Sequence, residues 1–175
     1  MVEPNYSFAR KMAKKVIKDY KLTETPTDLT KVFKNLRLKY IELNDPEGID
    51  GAIIEIEKKP AIAYLNKAKP IQRQRFTLAH ELGHIFLKHS KRNFYDAEET
   101  REIGDEQAGQ AKPPQEKEAD AFASELLVPN DKLKQYEADM NNIDKLLSIF
   151  QVSKQAMTIA LMNYWNYSRK TKKGF

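Results

Sequence analysis

The chain has 175 residues, of which 41% are hydrophobic, 31% charged and 10% aromatic. These values fit one ordinary domain with its own core and exclude a disordered or collagen-like chain. Thirty Lys and Arg against 25 Asp and Glu leave a net charge of +5, too mild by itself to argue for nucleic acid.

No run approaches the roughly 18 apolar residues of a membrane span. The first 15 residues lack the apolar stretch of an export signal. The expected location is therefore the cytoplasm, with no membrane partner. Cysteine is absent, which removes disulfides, thiol catalysis and thiolate metal sites and leaves His, Asp and Glu as the protein ligands for any metal.

In chain order, Phe8, Ala9, Met12, Ala13, Val16 and Ile17 recur at three and four and predict an amphipathic helix over residues 6–20. Thr25, Pro26 and Asp28 signal a second, short helix carrying Leu29, Val32, Phe33 and Leu36. Residues 38–43 and 49–56 read as strands around the turn cluster Asn44 to Gly48, and a third strand spans 61–65. The expectation is a small, mostly antiparallel sheet. Pro70 suits a helix start, and residues 71–89 form a helix that is apolar on more than one face and so is central and buried. A polar stretch, 90–114, separates it from a helix over 115–127 that Pro129 stops. The remainder reads as two or three short helices, with Ser153 as an N-cap. The expected organisation is a domain over 1–130 followed by a small helical region over 131–175, with no further large module.

The chemistry is concentrated in His80, Glu81, Leu82, Gly83 and His84, an H-E-x-x-H sequence inside the central helix. Four residues make about one turn, so the two imidazoles share a face and can share one metal ion. Glu81 lies roughly 100° round the helix, outside the ligand set but placed to take a proton from an activated water. Only three histidines occur in the chain, and two of them are here.

Such a site needs a third protein ligand. The extended motif with glycine and histidine further along is excluded by Leu87 and Ser90. His89 falls roughly 140° off the ligand face and reads as a surface or supporting residue. The helix after the long loop offers Glu116, Glu118 and Asp120. Glu116 and Asp120 are one turn apart, so Glu116 is assigned as the ligand and Asp120 as acceptor for the free N–H of a ligand histidine. Glu118 is the alternate ligand.

Residues 75–84, then Glu116 to Ala123 followed by Leu126, Leu127, Val128 and Pro129, resemble the ImmA/IrrE family of metallopeptidases. The likeness covers residues 53–164, including Asn66 and the Val152–Ser153 entry to the last helix. It implies an α+β, zincin-like fold, zinc held by His80, His84 and Glu116, and Glu81 as the catalytic acid/base. Manganese or iron would also suit two histidines and a carboxylate. One departure stands near Ala160, where relatives commonly carry arginine. The resemblance further implies an antirepressor, of phage, mobile-element or stress-response type, whose protein substrate is a helix-turn-helix repressor of the Xre class.

The third strand, just before the metal helix, is either an exposed edge for an extended peptide or an ordinary paired strand. Tyr64 and Tyr95 are conceivable oxyanion donors, and neither is nominated. The alternative function is a DNA- or repressor-binding regulator that acts without cleavage, using helix-turn-helix-like segments 142–150 and 153–164 and the basic tail. An inactive relative that sequesters its partner is a third reading, against which the intact Glu81 argues.

Overall fold

The structure, a computed structural model, describes residues 3–45, 48, 50–54, 62–89 and 112–172. The expected strand ends at 55, 56 and 61, most of the 90–114 stretch, Tyr95 and the acidic cluster around Asp96 lie outside these residues.

Helix α1 (Tyr6–Asp19) is capped by Asn5, whose Oδ1 accepts the Phe8 N–H at 3.0 Å. Ala9, Ala13 and Val16 are buried on one line, with Met12 and Ile17 packed beside them. Phe8 was expected on that face but is 46% exposed, because it sits one position, about 100°, off the Ala9–Ala13 line. In α2 (Thr30–Asn35), Asp28 Oδ1 accepts the Thr30 N–H at 2.9 Å and buried Val32 and Phe33 hold the helix to the core.

Three strands follow: β1 (Lys39–Leu43), β2 (Gly51–Ile54) and β3 (Ile62–Asn66). Their order is β1-β3-β2. β1 runs parallel to β3, with Lys39 opposite Ile62 and Leu43 opposite Asn66. β2 runs antiparallel to it, with Gly51 opposite Leu65. The sheet is therefore mixed, not mostly antiparallel. The turn after β1 does not close a β1–β2 hairpin; the wholly buried Asn66 draws it across the end of β3 instead. The Asn66 amide N–H donates to the Asp45 carbonyl, while its Oδ1 accepts the N–H groups of Asp45 (3.3 Å) and Ala68 (3.0 Å). This leaves room for β3 between the two earlier strands. Among the described residues β3 is consequently internal and paired on both sides, an ordinary paired strand and not an open edge, with β1 and β2 at the edges of the sheet.

Helix α3 (Ile71–Leu87) lies against β2. Gly51 permits the approach, since a Cβ there would fall 2.8 Å from the Tyr64 carbonyl oxygen and 3.1 Å from Thr77 Cγ2. The start of α3 is tied to the preceding loop by Gln74 Nε2, which donates to the Lys69 carbonyl at 2.6 Å, and by an ion pair between Arg73 and buried Asp50.

Helix α4 (Pro114–Leu127) has proline in its first turn, where the missing N–H costs nothing. It packs closely on α3 at Gly83, where a Cβ would lie 3.1 Å from Ala119 Cα and 3.2 Å from its carbonyl oxygen. One turn further along, Phe86 and Phe122 stack with centroids 5.9 Å apart. Helix α1 flanks α4 in the same direction, because Asn5 meets Glu118 and Lys14 meets Glu125.

After Pro129 the chain forms α5 (Asn130–Leu133) and a 3-10 turn, then α6 (Ile143–Phe150) and α7 (Lys154–Lys172). Gln151, at φ 51°, and Ser153, whose Oγ accepts the Ala156 N–H at 3.2 Å, make the corner. The last helix is not short but 19 residues long. Leu146, Phe150, Val152, Met157 and Ala160 join the same core as α1 and α4. Among the described residues no helix is long and apolar enough to cross a membrane.

Glu125 on α4 makes stability depend on pH. It is 5% exposed, lies 3.8 Å from Lys14 Nζ and accepts the Asn130 N–H at 3.3 Å. Burial raises its pKa from 4.5 to about 7, against the opposing pull of Lys14. Between these values the folded protein keeps a proton that the unfolded chain has released, so stability falls as pH rises through this window, by about 3 kcal/mol. Glu125→Gln keeps the acceptor for Asn130 without the charge. Its unfolding free energy, set against that of the parent, should gain this amount between pH 4.5 and 8; an equal pH slope in both proteins counts against the assignment.

Candidate metal centre

Helix α3 supplies both imidazoles of the site. His80 is 4% exposed, and His84 follows one turn later with ring centroids 4.8 Å apart. α4 brings Glu116, 5% exposed, from its first turn to meet them. His80 Nε2 lies 3.1 Å from one Glu116 oxygen, His84 Nε2 lies 3.2 Å from the other, and the two Nε2 atoms are 3.0 Å apart. Among the described residues, His80, His84 and Glu116 are the one group of three or more His, Asp or Glu donors that converge enough to hold an ion.

The close approach of α4 to α3 at Gly83 sets this convergence. A side chain at 83 would have to push Ala119 away, and Ala119 sits between Glu116 and Asp120 on the same helix.

The remaining nitrogens have their own partners. His80 Nδ1 lies 2.9 Å from Asp120 Oδ1, and the other Asp120 oxygen pairs with Lys112 Nζ. His84 Nδ1 lies 3.0 Å from His89 Nδ1, and His89 Nε2 lies 2.9 Å from Glu118 Oε2. Glu118 Oε1 accepts the backbone N–H of Asn5 at 2.6 Å. Glu118 thus stands one imidazole away from the converging atoms. Glu81 follows His80 on α3, is half-buried, and is not part of the converging group.

The sequence reads α3 through His89 and leaves it a surface or supporting residue; the structure puts it in the supporting place. The helix ends at Leu87, and Lys88 takes the left-handed conformation at φ 56°. His89 then folds back beside His84 instead of pointing away. A glycine or asparagine at 88 would have signalled this reversal, and lysine does not. Lys112 carried no signal either, being one more cation at the end of a long polar stretch.

Electrostatics favour positive charge at the meeting point. Burial pushes the Glu116 carboxyl up, yet hydrogen bonds and charge interactions with His80 and His84 outweigh it and hold the group well below the usual carboxylate range. Burial opposes charge on His80, and the Asp120 and Glu116 carboxylates overcome it, raising the imidazole to about 9. Burial also lowers His89, despite Glu118.

The donor set fits a small divalent ion. Tetrahedral zinc with ligands at roughly 2.0–2.1 Å separates its donors by about 3.3 Å, close to the 3.0–3.2 Å found between these atoms. An ion that prefers six or more oxygens would be poorly served by two nitrogens and one carboxylate.

Two imidazoles and a carboxylate, drawn from two packed helices, define a candidate metal centre of the kind used for hydrolysis. The family comparison points to the same class: the IrrE N-terminal-like domain, a peptidase family, matches residues 44–162. The chain belongs to this family. No curated protein gives a significant match.

Proposed function

We propose that this protein is a zinc-dependent metalloendopeptidase with a zincin-like fold, acting in the cytoplasm on a peptide bond of a protein substrate. The observation that carries the reading is the convergence of His80 Nε2, His84 Nε2 and the Glu116 carboxylate. These three residues would hold the ion, and manganese or iron would also suit them. A metal so bound supplies Lewis acidity, polarising a carbonyl and making a water more acidic.

The protein's own groups do the rest. Glu81 accepts the proton of the attacking water and hands it to the leaving amine nitrogen. Asp120, backed by Lys112, holds the His80 ring with Nδ1–H outward so that Nε2 keeps its lone pair. Residues 1–130 carry this chemistry, and 131–175 form a helical addition with a helix-turn-helix-like α6–α7 pair.

The substrate class we favour is an Xre-type helix-turn-helix repressor, which would make the protein an antirepressor. Support for this narrower step comes from the sequence resemblance alone. The alternative, a DNA- or repressor-binding regulator that acts without cleavage, gains little for its DNA-binding form from α6 and α7. Among their described exposed side chains the only cations are Lys145, which pairs with Asp139, and Lys154, while Met162 and Trp165 are exposed and neutral. A DNA-reading helix needs a basic stripe.

The deciding experiment incubates the zinc-loaded protein with a purified Xre-type helix-turn-helix repressor. A discrete repressor fragment should appear, and a chelator should abolish it. Intact repressor after incubation with zinc, manganese and iron in turn would remove this substrate, and salt-sensitive DNA binding unaffected by chelation would favour the alternative.

A further inference from the structure

We propose that His89 and Glu118 form a positioning pair for His84, fixed from outside by the backbone of Asn5. The inference rests on the metal reading above and adds to it a support distinct from Asp120. If His84 offers its Nε2 lone pair to a metal, its proton sits on Nδ1 and must go to an acceptor. The group 3.0 Å away is His89 Nδ1, which accepts only if His89 carries its own proton on Nε2. His89 Nε2–H then donates to Glu118 Oε2 at 2.9 Å. The other oxygen, Oε1, is taken by the Asn5 N–H at 2.6 Å. Each donor in this chain meets one acceptor, and only one tautomer of each histidine satisfies all of them.

The two ligand histidines are therefore oriented differently. His80 leans directly on a carboxylate, whereas His84 leans on a neutral imidazole that relays to one. The His89 side chain is 7% exposed and that of Glu118 18%, so water competes little for these bonds. The reversal at Lys88 is what puts His89 within reach, and Asn5, already the cap of α1, locks the far end.

The test measures zinc affinity by chelator competition, alongside thermal unfolding of the metal-free proteins. His89→Phe keeps a ring of similar size but no acceptor, and should weaken zinc by about 10–100-fold. His89→Asn places an amide oxygen where Nδ1 stood, and should stay within a few-fold of the parent. A packing role would give the reverse order, with Phe tolerated and Asn not. Glu118→Gln gives a second route should His89→Phe not fold. A glutamine side chain has one acceptor for two facing donors, Asn5 N–H and His89 Nε2–H, so zinc should weaken several-fold with little change in unfolding temperature. Parent-like affinity in folded His89→Phe or in Glu118→Gln overturns the pair while leaving the metal site intact. A parent that takes up no zinc overturns the metal reading itself, and this inference with it.

Discussion

Replacing Glu81 with Gln should leave one metal ion per chain bound and reduce peptide hydrolysis by about 10²–10⁴-fold, the range for loss of a positioned general base. The separation of the two effects follows from geometry. The converging donors are His80, His84 and Glu116, and Glu81 is not among them, so an amide at position 81 leaves the proposed ligands whole. It removes the one function asked of that carboxylate, the uptake and return of a proton. Glutamine matches glutamate in size, which keeps the packing of α3 unchanged. Metal content by elemental analysis and turnover on the same sample check both halves. A metal-replete Glu81→Gln protein that cleaves as fast as the parent would sink the assignment, and loss of the metal would make Glu81 a ligand.

Glu116→Ala should have the larger effect on the ion. Changing a residue that merely supports a ligand costs roughly 10–100-fold in affinity, and deleting one of three ligands should exceed this. The damage is compounded by burial, since His80 and His84 both meet this carboxylate and neither would find a replacement in its place. Glu118→Ala is the control that separates the two glutamates. It leaves all three converging residues in place, so its loss should stay within the roughly 10–100-fold of a supporting residue, below that of Glu116→Ala. Titration of both variants with zinc gives the comparison directly; equal losses would show that the ligand had been assigned to the wrong residue.

Much of this arrangement is legible in the sequence. The period of Ala9, Ala13 and Val16, the turn signals around Asn44 to Gly48 and the proline before α3 placed the elements. The i, i+4 spacing of His80 and His84 put two donors on one face, and Glu116 with Asp120 offered carboxylates one turn apart. What stayed hidden depended on contacts between distant residues or on backbone choices that side chains do not announce. The strand and turn signals suggest a mostly antiparallel sheet, and nothing local reveals that Asn66 captures that turn and lets β3 enter between β1 and β2. Helical arithmetic sent His89 to the wrong side because it assumed the helix continued. The left-handed Lys88 ends that assumption and brings His89 between His84 and Glu118.

The partnership between α1 and α4 bears on where the molecule can be divided. The family match begins at residue 44, yet Ala9, Ala13 and Val16 fill the common interior and Asn5 reaches Glu118. The span of recognisable ancestry is thus shorter than the cooperative unit. A fragment trimmed to the matched stretch would bare the flank of α4 and lose the outermost brace of the ion's surroundings, although every residue of the H-E-x-x-H sequence would still be present.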